Sequence, residues 1–116
     1  MAKRPVNQIK LAETLYGKVT WQKFRNFIRN KESPFLVIDL NTIKKNFNQL
    51  KRLMPFAKIY YAVKANPAVE IISLLADLGS SFDVASVPEL DRVLETGVTP
   101  DRISFGNTIK KEKDIE

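Results

Sequence analysis

The chain has 116 residues, enough for one small domain, and a formal net charge of +6. It contains neither cysteine nor histidine, which excludes disulfides, thiolate chemistry, a Ser-His-Asp triad and histidine-based metal sites within this sequence. No apolar run approaches the roughly 20 residues of a membrane span, and no apolar segment follows the basic N-terminus as in a secretory signal. We therefore expect a cytoplasmic protein without membrane contact, whose chemistry depends on lysine, aspartate, glutamate and tyrosine.

The charge is distributed unevenly. Residues 1–58 carry 13 Lys/Arg against 3 Asp/Glu, whereas residues 59–116 carry 6 against 10. A basic half can bind nucleic acid. The basic residues lie mostly on the polar faces of predicted helices, so a solvated surface is the better interpretation and no nucleic-acid partner is predicted. An RNA-binding fragment is an alternative, and it predicts binding that falls steeply with salt.

Residues 1–33 are predicted to form an N-terminal arm and a helix. Weak periodicity over residues 1–19 indicates a loosely attached arm, and Thr20 can cap a helix over residues 21–30. Ser33-Pro34 then breaks that helix. The apolar residues expected on one helix face are Trp21, Phe24, Phe27 and Ile28.

Residues 34–116 read as successive βα units. Phe35–Ile38 is a predicted strand, an amphipathic helix follows over residues 42–53, and Lys58–Val63 is the next strand. Asn66 can cap a further helix, with Pro67 at its first position. The aligned apolar residues of the first helix are Ile43, Phe47, Leu50 and Met54, and those of the second are Ile71, Ile72, Leu75 and Leu78.

The same alternation continues to the end of the sequence. Gly79 ends the second of these helices, and Ser81–Ala85 is a strand. Ser86 and Glu89 have the spacing of a capping box for a helix over residues 87–96. The remaining expected features are inward-facing Leu90, Val93 and Leu94, a stop at Gly97, a strand over Arg102–Phe105 and a turn at Gly106-Asn107-Thr108 that leads towards another helix.

About 22 residues separate the middle of one predicted strand from the middle of the next. Such regular βα units with short loops imply a parallel sheet with right-handed crossovers. A doubly wound sheet and a (β/α)₈ barrel both fit, but the sequence lacks the glycine-rich nucleotide motifs G-x-G-x-x-G and G-x-x-x-x-G-K-[ST]. A closed barrel needs about 250 residues. We therefore expect part of a longer protein, and a complete three-layer mini-domain is the alternative.

Polar side chains follow three predicted strands at their carboxyl ends, which form the working edge of parallel α/β folds. Lys64 follows the first strand, and desolvation at such a position can make a lysine amine nucleophilic. On spacing alone, however, Lys64 could extend into solvent and Asp83 could be a surface acid. Asn66, Ser86 and Glu89 could likewise serve only as helix caps, and Tyr60 and Tyr61 as ordinary strand aromatics.

Three segments follow one another at the strand ends: Y-Y-A-V-K-A-N-P at residues 60–67, F-D-V-A-S-V-P-E-L at 82–90 and R-I-S-F-G-N-T-I-K-K at 102–111. In order and spacing they resemble the ornithine/lysine/diaminopimelate decarboxylases, a family of pyridoxal-phosphate enzymes with an alanine-racemase-like, fold type III barrel. The segment from Pro34 to Leu40 also resembles the lead-in strand of that family. The resemblance implies the α/β fold of the N-terminal part of a pyridoxal-phosphate-binding (β/α)₈ TIM-like barrel. The rest of the barrel and a C-terminal β domain are expected beyond this chain.

The resemblance also implies roles for individual residues. Lys64 would carry pyridoxal 5'-phosphate as a Schiff base, and Ala62 would line the cofactor ring. Asp83 would lie near the linkage and orient it or its proton, and Glu89 would support that shell. The phosphate-binding loop, the acid that pairs with the pyridine nitrogen and the residues donated across a homodimer would lie beyond residue 116.

The implied reaction is decarboxylation of a basic amino acid. The third segment resembles bacterial ornithine/lysine decarboxylases, so L-ornithine to putrescine, a step of polyamine biosynthesis, is the first prediction. Lysine and then diaminopimelate are the next substrates in order. A non-catalytic homologue that binds decarboxylase partners is the alternative, and the presence of Lys64 argues against it.

Overall fold

The computed structural model describes residues 8–115, with side chains from Lys10 onwards. The chain divides into two compact units, one ending at Val37 and the other beginning at Ile38. In the first unit, helix α1 spans Gln8–Tyr16 and helix α2 spans Lys18–Ile28. Gly17 joins them with a φ of 77°, a conformation that glycine adopts without strain.

This helical pair corrects two predictions. Much of the expected N-terminal arm is helix α1, while residues 1–7 of that arm lie outside the described residues. Thr20 lies inside α2 and does not cap it, because the positive φ of Gly17 already turns the chain into the helix. The predicted apolar face of α2 contains no buried residue, and Phe27 is 61% exposed. Phe24 instead packs edge-on against Tyr16, with 5.6 Å between ring centroids.

The strand predicted at Phe35–Ile38 is wrong. The segment has no regular secondary structure, and the side chain of Leu36 is 78% exposed. A strand requires a hydrogen-bonded neighbour. None of the strands among residues 8–115 pairs with this segment, so its apolar pattern alone does not produce one.

Helix α3 spans Leu40–Leu53 and opens the second unit. It begins earlier than predicted because Asp39 caps it: the Asp39 carboxylate accepts hydrogen bonds from the Asn41 amide at 3.0 Å and the Thr42 hydroxyl at 2.8 Å. The hydrogen bond from Thr42 lowers the pKa of Asp39. Phe47 is buried as predicted, whereas Leu50 is 41% exposed.

Three short parallel strands form the sheet of the described chain. They are β1 at Tyr60–Ala62, β2 at Ser81–Val84 and β3 at Ile103–Phe105, in the order β1-β2-β3. In the register, Tyr61 lies opposite Phe82 and Phe82 lies opposite Ile103. The predicted parallel α/β arrangement is confirmed, with each strand shorter than expected.

Helices α4 (Val69–Asp77) and α5 (Val87–Leu94) alternate with these strands. Gly79 and Gly97 follow them with φ of 87° and 81°, so both predicted stops are confirmed. The inward orientation predicted for Leu94 is wrong, because 39% of that residue is exposed. The buried core consists of Phe47, Val63, Ile71, Ile72, Leu75, Phe82, Val84, Val93 and Val98.

The turns at the helix starts differ from the predicted caps. Helix α4 has Ala68 as its N-cap, and the Asn66 side chain accepts a hydrogen bond from the Ala68 amide at 3.1 Å. Asn66 therefore forms a local turn two residues before the cap, and Pro67 precedes the helix rather than opening it.

The helix expected after β3 is replaced by a 3₁₀ turn at Glu112–Asp114. No helix among residues 8–115 is long and apolar enough to cross a membrane.

Candidate active site

The carboxyl ends of the three strands bring the predicted site residues to one edge of the sheet. Ala62 is the last residue of β1 and lies opposite Asp83 of β2, which in turn lies opposite Ser104 of β3. Lys64 is two residues beyond Ala62. The parallel register therefore places a lysine, a carboxylate and the loop after β3 along the edge at which parallel α/β proteins bind ligands.

Lys64 lies in a 3₁₀ turn over Val63–Ala65, directly after β1. Val63 is fully buried, whereas Lys64 is exposed. Within residues 8–115, the Lys64 amine has neither a hydrogen bond nor an ion pair, and it does not pair with Asp83. Because Lys64 is exposed, residues 8–115 do not provide the desolvated environment expected for its amine, and they leave that amine unpaired on a firmly anchored turn.

The turn that carries Lys64 is held by side chains from outside it. The Tyr61 hydroxyl donates a hydrogen bond to the Asn66 carbonyl at 3.0 Å. One residue further on, the Arg92 guanidinium donates to the Pro67 carbonyl at 3.2 Å. These bonds fix the backbone on the C-terminal side of Lys64 without contacting its amine.

Asp83 is partly buried on β2, and its carboxyl group lies against the backbone of Gly106, just beyond β3. A Cβ atom at Gly106 would lie only 2.9 Å from Asp83 Cγ, which is closer than side chains pack. The Gly106 amide also donates to the Val84 carbonyl at 2.9 Å. A side chain at position 106 would have to displace the Asp83 carboxyl group, so glycine at this position allows that group to lie over the end of β3.

Glu89 and Asn107 meet at a single residue, Ala85, which follows β2. The Ala85 amide donates to Glu89 Oε2 at 2.9 Å, and the Asn107 side-chain amide donates to the Ala85 carbonyl at 3.1 Å. The Asn107 side chain also accepts a hydrogen bond from the Ile109 amide at 3.2 Å. These contacts join the loop after β2 to the loop after β3, and we call them the Ala85 clamp.

The predicted capping box at the start of α5 is only partly present. Ser86 is the N-cap residue, but its side chain makes no capping hydrogen bond. Glu89 accepts a hydrogen bond from the amide of Ala85, one residue before the N-cap, instead of from the amide of Ser86. The carboxylate of Glu89 therefore holds the loop after β2 rather than completing a helix cap.

The charged and aromatic groups of this edge define the chemistry that it can perform. No group of three or more acidic side chains suited to a metal ion occurs in the described part of the chain. A free lysine amine, a carboxyl group and an ordered loop remain, and these suit covalent chemistry at a carbonyl compound. The residues that sequence reasoning missed are Tyr61 and Arg92, because both act through backbone carbonyls whose positions only the folded chain reveals.

Comparison with known proteins gives a family for this arrangement. Residues 40–116 match the model of a family described as "Pyridoxal-dependent decarboxylase, pyridoxal binding domain". This range includes Lys64, Asp83, Glu89 and Asn107.

Individual relatives agree with the family match. An ornithine decarboxylase of Saccharomyces cerevisiae is 45% identical over 80 residues, covering 69% of this chain and 17% of the yeast protein. A lysine/ornithine decarboxylase of Selenomonas ruminantium is 35% identical over 99 residues, covering 85% of this chain and 25% of that protein. The chain thus spans a quarter or less of the length of these relatives.

A solved structure shows the same fold. The lysine/ornithine decarboxylase of Vibrio vulnificus, complexed with cadaverine, superimposes with a TM-score of 0.78 at 26% sequence identity. The match covers 84% of this chain and 27% of the Vibrio protein. The three-stranded parallel sheet and its helices therefore correspond to part of a larger domain in that structure.

Proposed function

Because this chain belongs to the family of pyridoxal-dependent decarboxylases, we propose that the protein removes the α-carboxyl group of a basic amino acid. The family match and the solved structure confirm three predictions made from the sequence segments. These are the family itself, the α/β fold of its cofactor-binding barrel domain, and pyridoxal phosphate as its cofactor. The activity of the whole protein and the roles of single residues are the proposal.

The observation that carries the proposal is the free amine of Lys64 at the carboxyl edge of the parallel sheet. Lys64 would hold pyridoxal phosphate through the aldehyde of the cofactor, because an aldehyde condenses with a primary amine and its carbonyl oxygen leaves as water. No hydrogen bond or ion pair of the described residues would have to be broken at Lys64 for this bond to form. The residues at this edge therefore fit the cofactor.

The neighbouring residues would divide the remaining tasks. Ala62, at the end of β1, has only a methyl side chain and would leave room for a flat ring. Asp83, opposite Ala62 in the register, would hold a proton or a positive charge close to the linkage. Glu89 would act indirectly, since its carboxylate holds the Ala85 amide. When bound, the cofactor supplies an electron sink for the electron pair left by departing carbon dioxide.

The preferred substrate is L-ornithine, which would yield putrescine, followed by lysine and then diaminopimelate. The names of the relatives support placing ornithine and lysine first. The yeast relative is named an ornithine decarboxylase, and the Selenomonas relative is named a lysine/ornithine decarboxylase. The cadaverine bound to the Vibrio enzyme is the amine formed from lysine. We further propose a homodimer whose partner subunits complete the site, and a cytoplasmic location.

The test uses the protein at its full natural length, mixed with pyridoxal phosphate, reduced with borohydride and mapped by peptide mass spectrometry. We expect the reduced adduct on Lys64 and release of carbon dioxide from ornithine. Lys64→Ala should abolish both, because Lys64 is the lysine carried by the turn directly after β1. Lys111→Ala, which alters an exposed lysine outside the strand ends, is the matched control and should change neither.

Two results would contradict the proposal. One is an adduct on another lysine with full activity in Lys64→Ala, which would remove the covalent role of Lys64. The other is a correctly placed adduct with no release of carbon dioxide from ornithine, lysine or diaminopimelate. That second result would favour a non-catalytic homologue that has kept the cofactor.

A further inference from the structure

The turn that presents Lys64 is fixed at its two ends by different means. On one side, Val63 is fully buried in the core. On the other side, the Asn66 carbonyl accepts the hydrogen bond of the Tyr61 hydroxyl at 3.0 Å. Tyr61 and Asn66 thus bracket the 3₁₀ turn Val63–Ala65, and a single side chain ties the end of β1 to the residue after the turn.

Tyr61 is itself held in place. Its ring packs edge-on against Phe82, with 6.4 Å between centroids and an interplanar angle of 84°, and Phe82 is fully buried. Tyr61 is only partly exposed, and burial raises the pKa of its hydroxyl. The hydroxyl therefore remains a hydrogen-bond donor at a fixed position.

The preceding tyrosine has none of these features. Tyr60 is 43% exposed, and its ring is contacted by the Lys58 amine at 5.1 Å from the centroid. Its hydroxyl makes no hydrogen bond to residues 8–115. Tyr60 and Tyr61 are consecutive residues of the same strand, so they form a matched pair that differs in this contact.

We infer that Tyr61 is a positioning residue for Lys64: its hydroxyl fixes the turn from which the lysine amine meets the cofactor. The inference rests on the proposed function, because it concerns the geometry of the same site. Tyr61 does not touch the reacting atoms and acts through the backbone of Asn66.

The expected effect follows from the loss of one hydrogen bond. Tyr61→Phe keeps the ring and its contact with Phe82 but leaves the Asn66 carbonyl without that donor. Such a loss changes an equilibrium by roughly fivefold, or about 1 kcal/mol. A turn with greater freedom presents the Lys64 amine in the productive geometry less often, so the loss should appear in cofactor binding.

The experiment compares Tyr61→Phe, Tyr60→Phe and the unaltered protein at full natural length. Pyridoxal phosphate is titrated into each apoprotein, and affinity is followed by absorbance. Visible circular dichroism per bound cofactor reports how rigidly the ring is held, and thermal unfolding of each apoprotein reports folding. Borohydride reduction and peptide mapping identify the modified lysine in all three.

We expect Tyr61→Phe to bind the cofactor roughly fivefold more weakly, with weaker circular dichroism and the adduct still on Lys64. Tyr60→Phe should match the unaltered protein. Equal affinity and equal circular dichroism in the two variants would overturn the inference, even if Tyr61→Phe unfolded at a lower temperature, because the hydroxyl would then serve only stability. Absence of a Lys64 adduct from the unaltered protein would instead overturn the proposed function, and the inference with it.

Discussion

At the scale of single residues, backbone contacts explain more of this site than direct contacts between side chains. Lys64 makes no polar contact with Asp83 or Glu89 within residues 8–115. Its turn is held through the Asn66 carbonyl, and the loop after β2 is held through Ala85. The position of Lys64 and Asp83 near the carboxyl edge of the sheet could be predicted from the sequence, because Lys64 follows β1 and Asp83 lies within β2. Their proposed roles rest on the family resemblance and not on strand periodicity. The role of Tyr61 could not, because a hydrogen bond to a backbone carbonyl leaves no pattern in residue types.

Glu89 provides a test of this indirect mode of action. Glu89→Gln keeps an oxygen that can accept the Ala85 amide hydrogen bond, whereas Glu89→Ala removes it. We expect near-normal turnover for Glu89→Gln and a loss of roughly three- to tenfold for Glu89→Ala, corresponding to about 1 kcal/mol. Steady-state decarboxylation assays on both variants check this. Equal losses in the two would show that the negative charge matters rather than the hydrogen bond.

Tyr61 also predicts a pH dependence of folding stability. Burial raises the pKa of its hydroxyl above the usual value of about 10, so the folded state favours the protonated form. The corresponding stability is fully present below pH 10 and is lost as the pH rises through the pKa of the folded state. We expect the unfolding temperature of the unaltered protein to fall more steeply above pH 10 than that of Tyr61→Phe. Parallel curves from differential scanning fluorimetry would contradict this.

At the scale of secondary-structure elements, apolar periodicity identified α3, α4, α5 and the three paired strands, but their ends depend on contacts distant in sequence. Helix α3 begins at Leu40 because Asp39 caps it, and α4 begins after a local turn at Asn66. The apolar run at residues 35–38 forms no strand, because a strand is completed by its neighbour and not by its own composition. Helix α1 could not be predicted because the periodicity of residues 1–19 is weak, whereas α2 was predicted and begins three residues earlier than expected.

The C-terminal end of α4 shows how one element fixes another. Arg102, in the 3₁₀ turn directly before β3, donates hydrogen bonds to the carbonyls of Ala76 at 2.9 Å and of Ser80 at 2.5 Å. A guanidinium also interacts favourably with the negative end of a helix dipole. Ser80 is fully buried, so its carbonyl has little access to water as an alternative partner.

This contact predicts a stability change. Arg102→Met keeps much of the aliphatic length but removes the donors, so we expect a loss of about 1–3 kcal/mol in the free energy of unfolding. Chemical denaturation of the full-length protein measures it. Arg52→Met, which alters an exposed residue of α3, is the control and should change stability by less than about 0.5 kcal/mol. If Arg102→Met also changed the free energy of unfolding by less than about 0.5 kcal/mol, water would replace the hydrogen bonds of the guanidinium to these carbonyls.

At the scale of the whole molecule, the described residues form an open parallel sheet. No strand among residues 8–115 pairs with the outer edge of β1 or of β3. Large apolar side chains are also exposed in the second unit, among them Phe56 at 90% and Ile109 at 83%. Closed barrels remove such edges by pairing every strand with two neighbours. The sequence could predict that the sheet is parallel. It could not predict which strands lie beside β1 and β3, because no strand among residues 8–115 pairs with their outer edges.

The open edges predict the behaviour of a polypeptide that contains only these 116 residues. We expect it to self-associate at micromolar concentration, because exposed strand edges and apolar patches favour pairing between copies. Sedimentation velocity measures this, with the full-length protein as reference. Replacing both Phe56 and Ile109 by lysine should reduce the association. A monodisperse monomer of the unaltered fragment would contradict the prediction.

The Ala85 clamp has a consequence for the motion of the two loops that it joins. Glu89 holds the amide side of Ala85, and Asn107, from beyond β3, holds its carbonyl side. Neither loop can reorganise fully without breaking a bond to the other. A ligand that restricts the motion of one loop therefore also restricts the motion of the other. Contact with the second loop then costs less conformational entropy, so the two loops should bind the ligand cooperatively.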